Sequence, residues 1–261
     1  MTATSPRADK LAEILFRARQ DGALLERVAE HVMPADEDEA YDAQDALGEY
    51  LGLYVAGWKI GATTTQVQKA IGMSEPFSGR IIAGTVYRSG IELAAGKGHN
   101  ILEAEFAVRL ARDLAGEARP YTADDLRGAI HAIHPCIEIN RPSFKDPFKM
   151  SGLAVIADNG SNAGIVLGEA IENWQRVDLA AASVEFRKND AVVARGVGAN
   201  VMAHPFNALA WLANKRAARG DYLRRGQFIA TGSLMGFVAC AAGDGVAAEF
   251  GKLGTVKLRL I

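Results

Sequence analysis

Cysteine is the scarcest chemistry-bearing residue in this sequence. The 261 residues hold two, Cys136 and Cys240, which are not spaced as a Cys-x-x-Cys pair. That sets aside a structural zinc site, a dithiol redox motif and a disulfide-stapled fold, and it fits a reducing compartment. An excess of charge is also missing: the net charge of −2 gives no electrostatic reason to expect nucleic acid or an anionic membrane as partner. No run approaches the ~18 apolar residues that cross a bilayer, and the first ten residues lack the apolar core of a secretion signal. There is no Gly-x-Ser-x-Gly nucleophile elbow, and Arg195-Gly196-Val197-Gly198 is too weak a glycine pair for a dinucleotide loop. Long βαβ alternation is absent, which disfavours Rossmann-like and TIM-barrel folds. The expectation is a soluble, cytoplasmic protein.

What is present is ordinary for a globular chain, with 49% hydrophobic and 23% charged residues. Leu11, Ile14, Leu15 and Ala18 follow helical spacing from Ala8 to Gln20, with Gly22 placed to stop the helix. Asp36-Glu37-Asp38-Glu39 suits the start of a second helix, expected to run to Leu53. Beyond that point the pattern turns to short strands and glycines. The expected class is therefore α+β, with a helical N-terminal layer over residues 1–55 and a mixed-β catalytic domain over residues 56–261. Within the second part, Ser74–Gly79 reads as a loop because of Pro76. Thr122-Ala123-Asp124-Asp125 reads as the capped start of a helix reaching His131. Val184–Arg187 and Ala191–Ala194 read as a hairpin, and Pro205 opens a helix that stops at Gly220.

Two strand-like stretches carry the chemistry. In Ile101–Arg109, Leu102, Ala104, Phe106 and Val108 share one parity, while Glu103 and Glu105 share the other. Side chains alternate between the faces of a strand, so two carboxylates stand together opposite a core face. In Pro135–Asn140, Ile137 and Ile139 oppose Cys136, Glu138 and Asn140. A lone acid on a buried-looking strand wants a metal, a cation or a proton. Glu103, Glu105 and Glu138 form an all-oxygen set that suits Mg²⁺ or Mn²⁺ and leaves coordination positions for a 2-oxo acid. The plainer alternative is a half-exposed strand with solvated glutamates. Lys59, between Gly57 and Gly61, could neutralise a substrate carboxylate or lie on the surface. Asp158–Gly164 could supply a carboxylate and the Ser161 hydroxyl to a site, or close a local turn. His99, His131, His134 and His204 are scattered and read as structural.

Six blocks in order then resemble one family: Gly57-Trp58-Lys59-Ile60-Gly61, Glu103-Ala104-Glu105-Phe106, Ile137-Glu138-Ile139, Ala157–Ser161, His204–Ala213 and Ala230-Thr231-Gly232-Ser233. From about Gly57 onward the chain resembles the 2-keto-4-pentenoate hydratase and 4-oxalocrotonate decarboxylase family of the fumarylacetoacetate hydrolase superfamily. The resemblance implies a mixed-β barrel or roll and a Mg²⁺ or Mn²⁺ site on Glu103, Glu105 and Glu138. It places Lys59 and Ser161 beside the substrate, a small 2-hydroxydienoate or 2-oxo acid from aromatic catabolism. It also implies a homo-oligomer, with pentamers and decamers as the family's assemblies. Hydration is the leading expectation, with decarboxylation of a 2-oxo diacid, acylpyruvate hydrolysis and a non-catalytic binding role as alternatives. Two departures stand out. Phe77 occupies the place of an aspartate in Glu75-Pro76-Phe77-Ser78-Gly79, and Asn140-Arg141-Pro142-Ser143-Phe144 replaces an Asp-Ser-Arg cluster. Glu75, Ser78, Arg141 and Lys145 are the neighbours placed to take over, with Arg141 the expected substrate-binding residue.

Overall fold

The computed structural model describes residues 5–52, 54–116 and 119–261. Helix α1 (Pro6–Asp21) starts where the Ser5 hydroxyl accepts the Ala8 N–H, and it stops at Gly22, whose φ of 63° no β-carbon opposes. Helix α2 (Glu37–Leu51) is capped by the Asp36 carboxylate, which accepts the Glu39 N–H. Its expected last residue, Leu53, lies outside the described residues. There follow β1 (Val55–Gly61), α3 (Thr65–Ala70), β2 (Phe77–Ile82), β3 (Val86–Arg88), β4 (Ile91–Leu93), β5 (Asn100–Leu110) and β6 (Ile130–Asn140). Then come α4 (Gly152–Ala157), β7 (Asn162–Leu167), the hairpin β8 (Ser183–Lys188) and β9 (Ala191–Val197), and α5 (Pro205–Ala218). The chain ends with β10 (Phe228–Ala230), β11 (Val238–Cys240), β12 (Gly245–Glu249) and β13 (Thr255–Leu260). No described helix is long and apolar enough to cross a membrane.

Two local expectations are corrected. The supposed loop at Ser74–Gly79 becomes strand from Phe77, because Gly61, Ile60 and Lys59 of β1 pair with Phe77, Ser78 and Gly79. The helix expected through His131 is a single 3₁₀ segment, Asp124–Ala129, after which β6 begins at Ile130. Pairing of Ile130–Asn140 with β5 along almost its whole length outweighs the local helix-start signal, and His131 and His134 therefore lie on a strand.

Among the described residues the strands form two mixed sheets, ordered β2-β1-β10-β5-β6-β7-β3, with β11 on β5, and β4-β13-β12-β8-β9. Trp58, Ile60, Leu102, Phe106, Ile137 and Ile139 of the first sheet pack on Val246, Ala248, Val256 and Leu258 of the second, with α5 completing the core. The other face of the first sheet curls inward, where Ile81, Ile165 and Ala230 meet at its apolar base. Of the expected barrel or roll, the described strands form no closed barrel. At the gap, Asn159 Oδ1 accepts the Arg80 N–H at 2.6 Å and Nδ2 donates to the Arg80 carbonyl at 2.9 Å. A side-chain amide thus takes the place of a strand ladder. Asn159 sits in a left-handed turn with Gly160 and Ser161, at φ 55°, 59° and 63°. Non-glycine residues there cost ~1–2 kcal/mol each, so the Asn159 bonds hold a conformation the local sequence disfavours.

The helical layer is fastened to this roll from within. Leu11, Leu15 and Leu47 of α1 and α2 pack on Phe144, Ala154 and Ala157. Buried Gln44 on α2 donates its amide hydrogens to the carbonyls of Ser78 at 2.9 Å and Ile156 at 2.8 Å. Replacing Gln44 by Ala removes a donor from each of two buried carbonyls, and a buried group left unsatisfied costs ~1–3 kcal/mol. Gln44→Ala is expected to lower unfolding free energy by about 2 kcal/mol or more, read from urea denaturation.

Candidate metal centre

The register of β5 and β6 builds the centre. Glu103 lies directly opposite Glu138, and Glu105 opposite Cys136. With Leu102, Ala104 and Phe106 buried on the core face, alternation turns the glutamates into the concave side of the roll. One oxygen from each of Glu103, Glu105 and Glu138 lies within 4.8 Å of the others. The Gly232 N–H donates to Glu105 Oε2 at 2.8 Å, and Asn162 Nδ2 donates to Glu138 Oε1 at 2.7 Å. Asn140 Nδ2 reaches Glu103 Oε2 at 3.3 Å. Lys59, from β1, sits 3.3 Å from Glu138 Oε1 and donates to Asn140 Oδ1 at 3.2 Å.

Three carboxylates face one ammonium, and the imbalance is visible in the protonation of Glu103 and Glu105. Burial, reinforced by Glu138, pushes the Glu103 carboxyl up to about 8. Burial and then Glu138 and Glu103 hold Glu105 well above the usual carboxylate range. Glu105 Oε1 and Glu138 Oε2 are buried with no hydrogen-bond partner in the structure. Buried oxygens are rarely left unmatched, and hard carboxylate oxygens around a common point are the donor set of Mg²⁺, Mn²⁺ or Ca²⁺. The residues therefore fit a divalent cation, which Glu103, Glu105 and Glu138 would hold. The Cys136 thiol, opposite Glu105, is pushed well up by burial and stays neutral.

A cavity of about 560 Å³ opens from Glu103, Asn140 and Lys59 past Phe77 and Ser161. Gly160 makes this end possible: a β-carbon there would lie 2.4 Å from Lys59 Cε and 2.9 Å from the Phe77 ring. Ser161 lines the cavity, and its hydroxyl makes no hydrogen bond within the described protein. Arg141 is placed elsewhere. Its backbone N–H donates to the Ser161 carbonyl, but its guanidinium donates to Asn100 Oδ1 at 3.0 Å and to the Ala94 carbonyl, outside the cavity. The other neighbours are also engaged: Glu75 by Trp211 and Lys215, Lys145 by Glu26, and Ser78 beside the Tyr41 hydroxyl. The Asp158 carboxylate accepts from the Ser143 hydroxyl and Arg19, anchoring the left-handed turn rather than serving the cavity. Sequence reasoning missed Asn162 and Gly232 as partners of the carboxylates. Asn162 had a signal, a polar residue opening a β-branched strand, whereas the Gly232 N–H carries none.

The protonation pattern has a sign that can be measured. The Glu103 carboxyl binds its proton more tightly in the fold than at the ordinary 4.5. It therefore stabilises the fold fully below that value and ceases to do so as pH rises through about 8. With a chelator present, the melting temperature is expected to fall between pH 5 and pH 8, and saturating Mg²⁺ is expected to remove most of that slope. Glu105→Gln should raise the melting temperature in chelator and abolish the Mg²⁺ effect, as differential scanning fluorimetry would record.

Residues 60–261 match the family model described as fumarylacetoacetate (FAA) hydrolase C-terminal. The chain is 33% identical over 251 residues to 2-keto-4-pentenoate hydratase 1 of Dechloromonas aromatica, covering 94% of each protein. It is 31% identical over 214 residues to 4-oxalocrotonate decarboxylase of Pseudomonas putida, covering 82% of this chain and 80% of that one. The solved structure of 4-oxalocrotonate decarboxylase from Pseudomonas putida G7, complexed with magnesium and adipate, superposes with a TM-score of 0.91 at 29% identity, covering 100% of this chain and 99% of that one. With its two mixed sheets, helical N-terminal layer and clustered glutamate trio, the chain belongs to the fumarylacetoacetate hydrolase C-terminal family.

Proposed function

We propose that this protein is a divalent-metal-dependent lyase that adds water to a 2-hydroxydienoate such as 2-hydroxypenta-2,4-dienoate, forming a 4-hydroxy-2-oxo acid in aromatic catabolism. The polarity of the cavity carries the reading. Among the described lining residues, Lys59 is the one cation and Glu103 the one carboxylate, while Val67, Ile71, Phe77, Phe148 and Phe237 form much of the remaining wall. A single carboxylate at the glutamate end suits that arrangement. The second carboxylate of a 2-oxo diacid would be desolvated against apolar side chains with no cation to meet it. Relatives named as hydratases support the same reaction class.

Glu103, Glu105 and Glu138 would hold a Mg²⁺ or Mn²⁺ ion, which would supply Lewis-acid stabilisation to negative charge on the substrate oxygens. Lys59 spends donors on Glu138 and Asn140 and keeps a third for the substrate carboxylate. The unpartnered Ser161 hydroxyl is placed to bind a substrate oxygen or pass a proton. Asn140 fixes the distance between Lys59 and Glu103 by bonding to both. The Phe77 ring forms an apolar wall of the cavity beside the Lys59 ammonium. Assembly as a homo-oligomer, pentameric or decameric, belongs to the same reading.

Decarboxylation is the second reading, and Phe77 favours it. With an aromatic ring where the resemblance places an acid, the cavity offers little general acid–base machinery, and loss of CO₂ requires no added water. Incubation with Mg²⁺ and 2-hydroxypenta-2,4-dienoate is expected to remove the dienol absorbance. CO₂ release from 4-oxalocrotonate without that loss overturns hydration. Lys59→Met is expected to lower kcat/KM at least ~10²-fold while keeping the Mg²⁺-induced rise in melting temperature.

A further inference from the structure

We infer that the substrate carries a bulky, uncharged apolar tail, an aryl or branched alkyl group, which Phe148 and Phe237 select at the mouth of the cavity. The inference rests on the reading of the glutamate end as a 2-oxo acid site.

The exposure of the lining gives the cavity a direction. Lys59 is 3% exposed, whereas Phe148, Phe237 and Val67 are 61%, 53% and 45% exposed. The charged end is thus the closed end, and three apolar residues stand at the open one. Phe148 belongs to the 3₁₀ turn Pro147–Lys149, and Phe237 to the loop between β10 and β11. They come from segments distant in sequence yet stack on each other, with ring centroids 5.2 Å apart and planes within 21°. Each ring therefore covers one side of the other and leaves an apolar surface toward the cavity. Isolated exposed apolar residues need no explanation, but a stacked pair continuous with a buried cavity forms a patch that a ligand covers.

Size points the same way. Even at the roughly 30 Å³ share of a whole liquid water per atom, the eight heavy atoms of 2-hydroxypenta-2,4-dienoate fill at most about 240 Å³. The cavity holds about 560 Å³. After an ion and two waters, there is space for roughly seven further heavy atoms, enough for a six-membered ring. The polar residues near the opening, Gln66, Asn200 and Ser233, carry no charge, so nothing in the lining matches an ionised tail.

The test is calorimetric binding of three 2-oxo acids to the Mg²⁺-loaded full chain: 2-oxopentanoate, 2-oxo-4-phenylbutanoate and 2-oxoadipate. The phenyl compound is expected to bind at least ~10-fold tighter than 2-oxopentanoate, since small apolar additions in a fitted pocket discriminate by 10-fold or more. 2-Oxoadipate is expected to bind more weakly than either. Phe148→Ala and Phe237→Ala, made separately, should each cut the phenyl advantage to about 2-fold while changing the Kd of 2-oxopentanoate far less. Equal affinity for the phenyl and pentanoate compounds, or an advantage that survives both substitutions, overturns the tail inference while the 2-oxo acid site stands. Failure of all three acids to bind overturns both.

Discussion

The repulsion between Glu103 and Glu138, set face to face across one antiparallel pair, is the constraint on which the rest of the structure depends. Like charges directly opposite on a sheet destabilise it, and here a third carboxylate, Glu105, joins them in a buried space. The fold holds this arrangement through its other face. Leu102, Ala104 and Phe106 on β5, with Ile137 and Ile139 on β6, are sealed against the second sheet. A slip of one residue would drive a glutamate into that core, so hydrophobic burial pins the register and the register assembles the carboxylates. Lys59, Asn140, Asn162 and the Gly232 N–H then offset part of the repulsion. The oxygens left over mark where a cation belongs.

The site divides into two parts with separate origins. Its charged end is drawn from neighbouring strands of one sheet, and side chains there are fixed by ladder geometry. Its apolar end is drawn from connecting segments around α3, Phe148 and Phe237, which the ladder does not constrain. Chemistry on rigid strands with selection on loops is a common division of labour. Phe77 stands at the seam. Its ring lies 5.2 Å from the Lys59 ammonium, close enough for a cation–π contact, so the residue that lines the cavity with an apolar face also gives the cation a partner.

The charged end was legible in the sequence because a period-2 pattern with an apolar face tells which side chains stand together. Glu138 was legible for the same reason, as an acid alternating with Ile137 and Ile139. The start of β6 was not, since Thr122–Asp125 is a sound local cap and only pairing with β5 overrides it. The roll's failure to close was equally hidden. What bridges the gap is Asn159 meeting the backbone of Arg80, a contact across 79 positions that no local pattern announces. Arg141 shows a third kind of limit: its place in the sequence beside Asn140 is correct, but Asn100 and the Ala94 carbonyl draw its guanidinium away from the cavity.

The left-handed turn at Asn159–Ser161 makes position 160 unlike any other around the cavity. Lys59 Cε occupies the space where a side chain at 160 would begin. A single methyl group there would behave as an inhibitor carried within the chain. It would press on the Lys59 side chain and the Phe77 ring together while leaving the register of the strands in place. The position of the one ammonium at this centre therefore depends on a hydrogen atom on a backbone carbon, at a residue with no functional group of its own.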